Sequence, residues 1–377
     1  MRELDEHPPR EIVLEAVADP CIDVARRALE RLIADPRRED IGALQDLLWR
    51  CDPALVEDVA AALRAVGDRD AARMAEARLR SDCRPAQRGR AARALGVLRD
   101  WQALPALTAA VGDANATVRA AALDALAEFG PDRMAARAAA VCVTDESADV
   151  RRRAVRAVGR LSPAPAWAVR AALDDPAHLV RREVAALSGR LPIPDVARLL
   201  TDDDPNVRAT GAASAGPSSA HLLIGVLECD PRGSVRAAAA GRLGELGGDE
   251  AGEALLSASL ADHDSLVRAR ALRLAERVLG RDRLAARLRE EADGAHGAMA
   301  LRALTKLGAP LGDDEAARLA HSLDPDLRLV LADLALSLVG DPAQILAVLR
   351  HDADAGVRGV ATRHEEAEPP RITRRER

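Results

Sequence analysis

Apolar residues in this chain come in short blocks at helical spacing, and the blocks recur. An aspartate is followed six positions later by an arginine, with an apolar residue just before the arginine and alanine or leucine after it. The pairs are Asp82/Arg88, Asp113/Arg119, Asp145/Arg151, Asp175/Arg181, Asp202/Arg208, Asp230/Arg236, Asp262/Arg268 and Asp352/Arg358. The apolar anchor is usually valine: Val118, Val150, Val180, Val207, Val235, Val267 and Val357. Weaker copies place Val24, Val56, Gln87, Met299 and Leu327 at the anchor, giving twelve anchors 27 to 32 residues apart. Self-similarity at such a period marks a repeat architecture.

Each period holds two helices. In residues 101–130, Leu104, Leu107 and Val111 line one face of a first helix. Gly112 stops it and Asp113 opens a tight turn. Val118, Ala122, Leu126 and Phe129 mark the buried face of a second helix, ended by Gly130-Pro131. Asp19-Pro20, Asp175-Pro176 and Asp230-Pro231 read as aspartate caps with proline at the first helical position. No segment alternates as a strand does. A helix pair this short buries its apolar faces only against neighbouring pairs, so the expected fold is an all-α superhelix of about 11–12 helix pairs, one array rather than two domains. The shortened spacings from Val180 to Val235 suggest a local change of curvature. Expected boundaries are a disordered, polar segment at 1–10, the array at 11–361, and a disordered, charged tail at 362–377.

Composition sharpens this picture. Aromatics are 1% of the chain: Trp49, Trp101, Trp167 and Phe129. The core must therefore be built from alanine, leucine and valine, which suits closely packed helices. Lys306 is the only lysine, leaving 53 arginines (54 − 1). This bias is what a high-GC genome produces, so an arginine cluster alone is weak evidence of function. The formal net charge of −6 gives no general attraction to nucleic acid or anionic membranes. The five cysteines show no ligand-like spacing and read as reduced thiols, mostly buried. The N-terminal residues lack the apolar run of a secretory signal, and no stretch approaches a membrane span. The expected location is the cytoplasm.

The phrase DPxxxVRxxAxxALG resembles the HEAT repeat, in particular the HEAT-like repeats of bacterial scaffold proteins and phycobilin lyases. The resemblance covers roughly residues 11–361. It implies a HEAT/armadillo-type solenoid whose second helices line the concave side. It also implies that the eight Asp/Arg pairs form a hydrogen-bonded ladder between adjacent repeats. Ala25, Glu57 and Ala300 stand in place of the arginine, and Ser322 in place of the aspartate, so looser joints are expected there.

Catalytic and metal chemistry find little support. Gly241–Gly248 lacks the strand and the Gly-Lys-Ser/Thr of a phosphate loop and sits where a second helix ends. His321 and His351 share a register position but lack further ligands, so no metal site is expected. HEAT-like deoxyhypusine hydroxylases hold iron through several His-Glu pairs, whereas the only His-Glu step here is His364-Glu365. No catalytic residue or cofactor is assigned. The concave surface is the natural binding site of a solenoid. Counting three, six and ten residues past each anchor gives Arg90 and Arg93, then Arg153, Arg156 and Arg160, then Arg270, Arg273 and Arg277. Thr210, Ala213, Ala238 and Gly241 form a small-residue floor between these basic strips. The expected function is a scaffold or adaptor gripping a protein partner, an acidic peptide or helix, through bidentate arginine–carboxylate contacts. The alternatives are a bilin-lyase-like enzyme and, less favoured for want of aromatic stacking platforms, a nucleic-acid-binding protein.

Overall fold

The computed structural model describes residues 9–161 and 166–367. The chain divides into two compact units, Met1–Leu187 and Ser188–Arg377. The division falls in the shortened interval between Val180 and Val207. Among the described residues there are 24 α-helices and no strand, only an isolated bridge between Leu311 and Val339. In the first unit these are α1 (Arg10–Ala16), α2 (Ile22–Ala34), α3 (Ile41–Arg50), α4 (Val56–Val66), α5 (Asp70–Ser81), α6 (Pro85–Leu98), α7 (Leu104–Ala110), α8 (Ala116–Ala127), α9 (Arg133–Val141), α10 (Ala148–Arg160), α11 (Ala166–Ala171) and α12 (His178–Ala185). In the second they are α13 (Ile193–Leu200), α14 (Pro205–Ser214), α15 (Ala220–Cys229), α16 (Gly233–Leu246), α17 (Asp249–Ala261), α18 (Ser265–Leu279), α19 (Arg281–Glu291), α20 (Gly297–Leu307), α21 (Asp313–Ala320), α22 (Pro325–Leu338), α23 (Pro342–Leu349) and α24 (Ala355–Ala367). Odd-numbered helices are the first members of each pair and even-numbered ones the second.

The second helices are the spine of each unit. In the first, α2, α4, α6, α8, α10 and α12 pack in sequence side by side. In the second, α14, α16 and α18 do the same, as do α20, α22 and α24, but α18 and α20 barely touch. Small residues make the close packing possible. α8 lies between α6 and α10 and buries Ala120, Ala121, Ala122, Ala125 and Ala127 together with Val118, Leu123 and Leu126. A Cβ on Gly96 of α6 would stand 2.8 Å from the Cα of Ala125, closer than real Cβ atoms come, so glycine sets that interhelix distance. In all pairs but α19/α20, which are equal, the first helix is the shorter. Trp101, at the start of the α7 pair, packs edge-on against Phe129 with ring centroids 5.5 Å apart, yet stays 58% exposed.

Several local expectations change. The Asp-Pro steps at Asp19, Asp175 and Asp230 precede their helices instead of opening them. The carboxylates of these aspartates accept the backbone N–H two residues on, from Cys21, Ala177 and Arg232 at 2.7, 2.8 and 2.9 Å. The helices then begin three residues after the aspartate, at Ile22, His178 and Gly233. Proline at the helix start is instead found after Asp204 and Asp324, which do cap. Of the segment expected to be disordered at the N-terminus, residues 1–8 lie outside the described residues and Arg10 opens α1. Arg10 is anchored through its guanidinium on the fully buried Asp40 and on the Asp35 carbonyl, the latter at 2.7 Å. At the other end α24 continues to Ala367, into the expected tail, the rest of which lies outside the described residues. In α20 the core face is Ala300, Leu301, Leu304 and Leu307, with Met299 only half-buried. Three of the five thiols (Cys21, Cys83 and Cys229) are exposed, and only Cys51 and Cys142 are buried. Burial, followed by the charge of Asp145, pushes the Cys142 thiol up to about 11.

Gln87 occupies an anchor position that is usually valine, and its side-chain Oε1 is buried without a hydrogen-bond partner. An orphaned buried acceptor costs on the order of 1–3 kcal/mol. Gln87→Leu, similar in volume and apolar, is therefore expected to stabilise the protein by about 1 kcal/mol, read from the shift of a denaturant midpoint at constant slope.

Candidate binding surface

The Asp/Arg pairs form a three-point rung. Within a repeat, Nη1 of the arginine donates to the backbone carbonyl of that repeat's own aspartate: Arg88 to Asp82 at 3.0 Å, Arg119 to Asp113 at 2.9 Å, Arg236 to Asp230 at 2.7 Å. Across the joint, Nε and Nη2 make a bidentate pair with the aspartate of the next repeat. Arg88 reaches Asp113 at 2.7 and 2.9 Å, Arg119 reaches Asp145 at 2.7 and 2.8 Å, and Arg151 reaches Asp175 at 2.6 and 3.0 Å. In the second unit Arg208 reaches Asp230 at 2.7 and 3.1 Å, and Arg236 reaches Asp262 at 2.7 and 2.8 Å. Arg181, Arg268 and Arg358 donate to the carbonyls of Asp175, Asp262 and Asp352 in the same way. Sequence reading overlooked Arg328. It donates to the Ser322 carbonyl and pairs with Asp352 at 2.6 and 3.0 Å, so the rung from this repeat to the next is complete. The carbonyl, not the side chain, is what the rung takes from that residue, and serine supplies it equally well.

The two rungs before that of Arg328 are missing, the nearer because Ala300 supplies no guanidinium and Ser322 no carboxylate. Arg268 holds the Asp262 carbonyl, but the residue six before Ala300 is Gly294, and among the described residues no carboxylate pairs with Arg268. This is the joint at which α18 and α20 barely touch. At Ala25 and Glu57, by contrast, neighbouring second helices pack normally, aided by Arg26 on Asp58 at 3.2 Å and Arg64 on the Val97 carbonyl at 3.3 Å.

Of the predicted binding residues, the structure brings five together. Arg93, Arg156 and Arg160 line an open groove of about 460 Å³ with Arg64, Arg99, Glu57, Asp124 and Glu128. An adjoining depression of about 550 Å³ shares Glu57, Arg93 and Asp124 and adds Arg90, Asp149 and Arg153. Most of these arginines are already engaged. Arg90 donates to the Cys51 carbonyl at 2.8 Å and Arg93 to that of Pro53 at 3.2 Å. Arg153 pairs with Asp124 and, at 2.9 Å, with Asp149. Arg156 bonds Glu183 at 2.5 Å, and Arg160 bonds Glu128 at 3.0 Å. Burial, then the nearby charges of Arg156 and Arg93, hold the Arg153 guanidinium below its ordinary pKa. Sequence reading missed the neutralising carboxylates Glu128 and Glu183, which lie 32 and 27 residues from their partners.

Arg270, Arg273 and Arg277 lie in the other unit, on the exposed face of α18. Among the described residues none of them has an ion-pair partner. α18 borders α16, whose Ala238 and Gly241 belong to the expected small-residue floor, and α14 with Thr210 and Ala213 follows. A Cβ on Gly241 would collide with the guanidinium of Arg270, and one on Gly244 would stand 3.2 Å from Nη2 of Arg277. The two arginines therefore lie over glycines of α16. Among the described residues no group of three or more His, Cys, Asp or Glu is placed to hold a metal ion, and no helix is long and apolar enough to cross a membrane.

The sequence model of HEAT repeats matches residues 74–143 and 193–275. These two stretches carry HEAT repeats. The match is to HEAT repeats at large and does not single out the lyase-like kind. Among solved structures, YibA of Escherichia coli superposes with a TM-score of 0.50 at 19% identity, covering 67% of this chain and 97% of YibA. A chain from a structure of Kap95p binding to RanGDP gives 0.48 at 14% identity, over 95% of this chain and 54% of that one. An engineered protein gives 0.39 at 18% identity, over 95% and 93%. These likenesses concern the fold alone. No curated protein matches the chain by sequence.

Two predictions follow from the HEAT-repeat ladder. Arg236 is 2% exposed and its partner Asp262 4%. Arg236→Ala leaves that carboxylate buried and unpaired and should cost about 3–5 kcal/mol in equilibrium unfolding. Arg358→Ala, at an exposed arginine holding only the carbonyls of Asp352 and Ala353, should cost under about 1 kcal/mol. The rungs also carry a pH signature. Arginine bonds, the largest influence, lower the pKa values of Asp113 and Asp352. In Asp145 and Asp262 burial is the largest single influence and opposes, but arginine, backbone N–H and nearby positive charge together still lower the pKa. Carboxylates depressed on folding stabilise above their unfolded pKa of about 4, and this stability is lost as pH falls through the folded values. Thermal melts are expected to be flat from about pH 7 to 5 and to fall below about pH 4. The gap between wild type and Arg236→Ala should narrow over the same acid range, and a constant gap would remove the Asp262 rung as its source.

Proposed function

We propose that this protein is a non-enzymatic scaffold that takes an acidic peptide or helix of a partner protein along the exposed face of its second helices. The observation that carries the reading is the concentration of arginine on that face in both units, on helices whose opposite faces are buried in the core. A solenoid offers an extended surface for a long, shallow ligand, and guanidinium forks suit carboxylates. The near absence of aromatics disfavours a stacked single-stranded nucleic acid.

The test is affinity capture from native lysate of the source organism, with and without nuclease, followed by elution in rising salt. The expected result is one protein retained near stoichiometrically after nuclease, released by about 0.5 M salt, where the screening length is only a few ångströms, and bound through an acidic segment in deletion mapping. Retention that disappears with nuclease, or a partner whose acidic segments are dispensable, would overturn the reading.

A further inference from the structure

We infer that the acidic segment docks on the second unit, along α18 and α20, and not in the arginine groove of the first unit. This rests on the scaffold reading above and locates its site.

In the first unit the groove's arginines are already held, Arg153, Arg156 and Arg160 by carboxylates and Arg90 and Arg93 by backbone carbonyls. At Arg153, Arg156 and Arg160 an incoming carboxylate would have to displace Asp124, Asp149, Glu183 or Glu128. Exchanging one carboxylate for another gains little. On α18 the situation is reversed. Arg270, Arg273 and Arg277 are exposed and unpaired among the described residues, and the following second helix, α20, exposes Arg302 and Lys306, also unpaired. Five cations thus stand on two consecutive second helices. Glu276 is the acidic residue of α18 nearest to them in sequence, and it is half-buried.

The spacing identifies the kind of partner. Arg270, Arg273 and Arg277 sit at i, i+3 and i+7, on one face of α18, spread over roughly 10.5 Å at 1.5 Å per residue. A partner helix with carboxylates at i, i+3 or i+4, and i+7 offers the same rise on one face, so its acids meet the arginines in register. The glycines of α16 contribute by giving the arginines room. Arg270 and Arg277 lie over Gly241 and Gly244, where longer side chains would push them away, so part of the ordering needed for binding exists before the ligand arrives. Arg302 and Lys306, four apart on α20, add two exposed cations on the next second helix.

Lys306 supplies the test. It is the only lysine, so apart from the N-terminal amine it is the only amine in the chain able to form an amide with a carboxylate through a carbodiimide. The probe is an acetylated, fluorescein-labelled, alanine-rich helical peptide with glutamates at i, i+3 and i+7, offered to the full chain and followed by anisotropy. Arg273→Glu/Arg302→Glu should weaken binding at least about tenfold with unchanged circular dichroism, while Arg153→Glu should leave it within about twofold. Carbodiimide should join the peptide to Lys306, and Lys306→Arg should abolish the adduct without weakening binding. Equal binding by wild type and Arg273→Glu/Arg302→Glu, an adduct confined to the N-terminal amine, or tighter binding of a single-stranded oligonucleotide of matched charge would each overturn the site. A native partner captured equally by wild type and by Arg273→Glu/Arg302→Glu would overturn the site and leave the scaffold reading standing. Absence of any captured protein would overturn the scaffold reading itself.

Discussion

The structure depends on a guanidinium that faces two turns at once. In each complete rung an arginine gives one nitrogen to the backbone of its own turn and its remaining fork to the aspartate of the next. That aspartate has already used a carboxylate oxygen to hold the N–H two residues ahead, as Asp113 does for Asn115 and Asp262 for Asp264. One side-chain pair therefore shapes a turn, closes a carbonyl that no helix would satisfy, and fixes the distance to the neighbouring repeat. Lysine could not replace the arginine, since a point charge cannot engage two oxygens in one plane while bonding a third behind it. The alanine-rich helices are free to be smooth because the turns set their positions.

The repeat was legible because it imposes one constraint many times. A period near 30, an apolar anchor and the Asp-x5-Arg phrase each survive individual failures, so twelve anchors correspond to twelve second helices even with Gln87 and Met299 in weak copies. The direction of the rungs was less legible. The six-residue spacing shows that an aspartate and an arginine belong together, but the bond inside that spacing goes to the aspartate's carbonyl. The carboxylate bond reaches 22 to 26 residues onward, into the next period. This is why Ser322 does not weaken the rung from Arg328 to Asp352, and why Gly294, which looks like an ordinary loop residue, leaves Arg268 without a carboxylate.

The surface was the least legible part. Exposed arginines at three, six and ten past the anchor were found by counting, and the structure places them on exposed or half-exposed faces. Whether an arginine is available depends on what stands opposite it, and that residue lies on another helix. Arg160 and Arg277 have the same register position, yet one is held by Glu128 and the other has no carboxylate among the described residues. Composition made every arginine look alike, and packing separated them.

The vacancy at Gly294 also has a mechanical meaning. In a linear array bending is shared among the joints in inverse proportion to their stiffness, so most of the deformation gathers where stiffness is lowest. Within the second unit that place is between α18 and α20, where Arg268 finds no carboxylate and the helices scarcely meet. A flexing or stretched unit would hinge there first, with the repeats on either side moving as nearly rigid blocks.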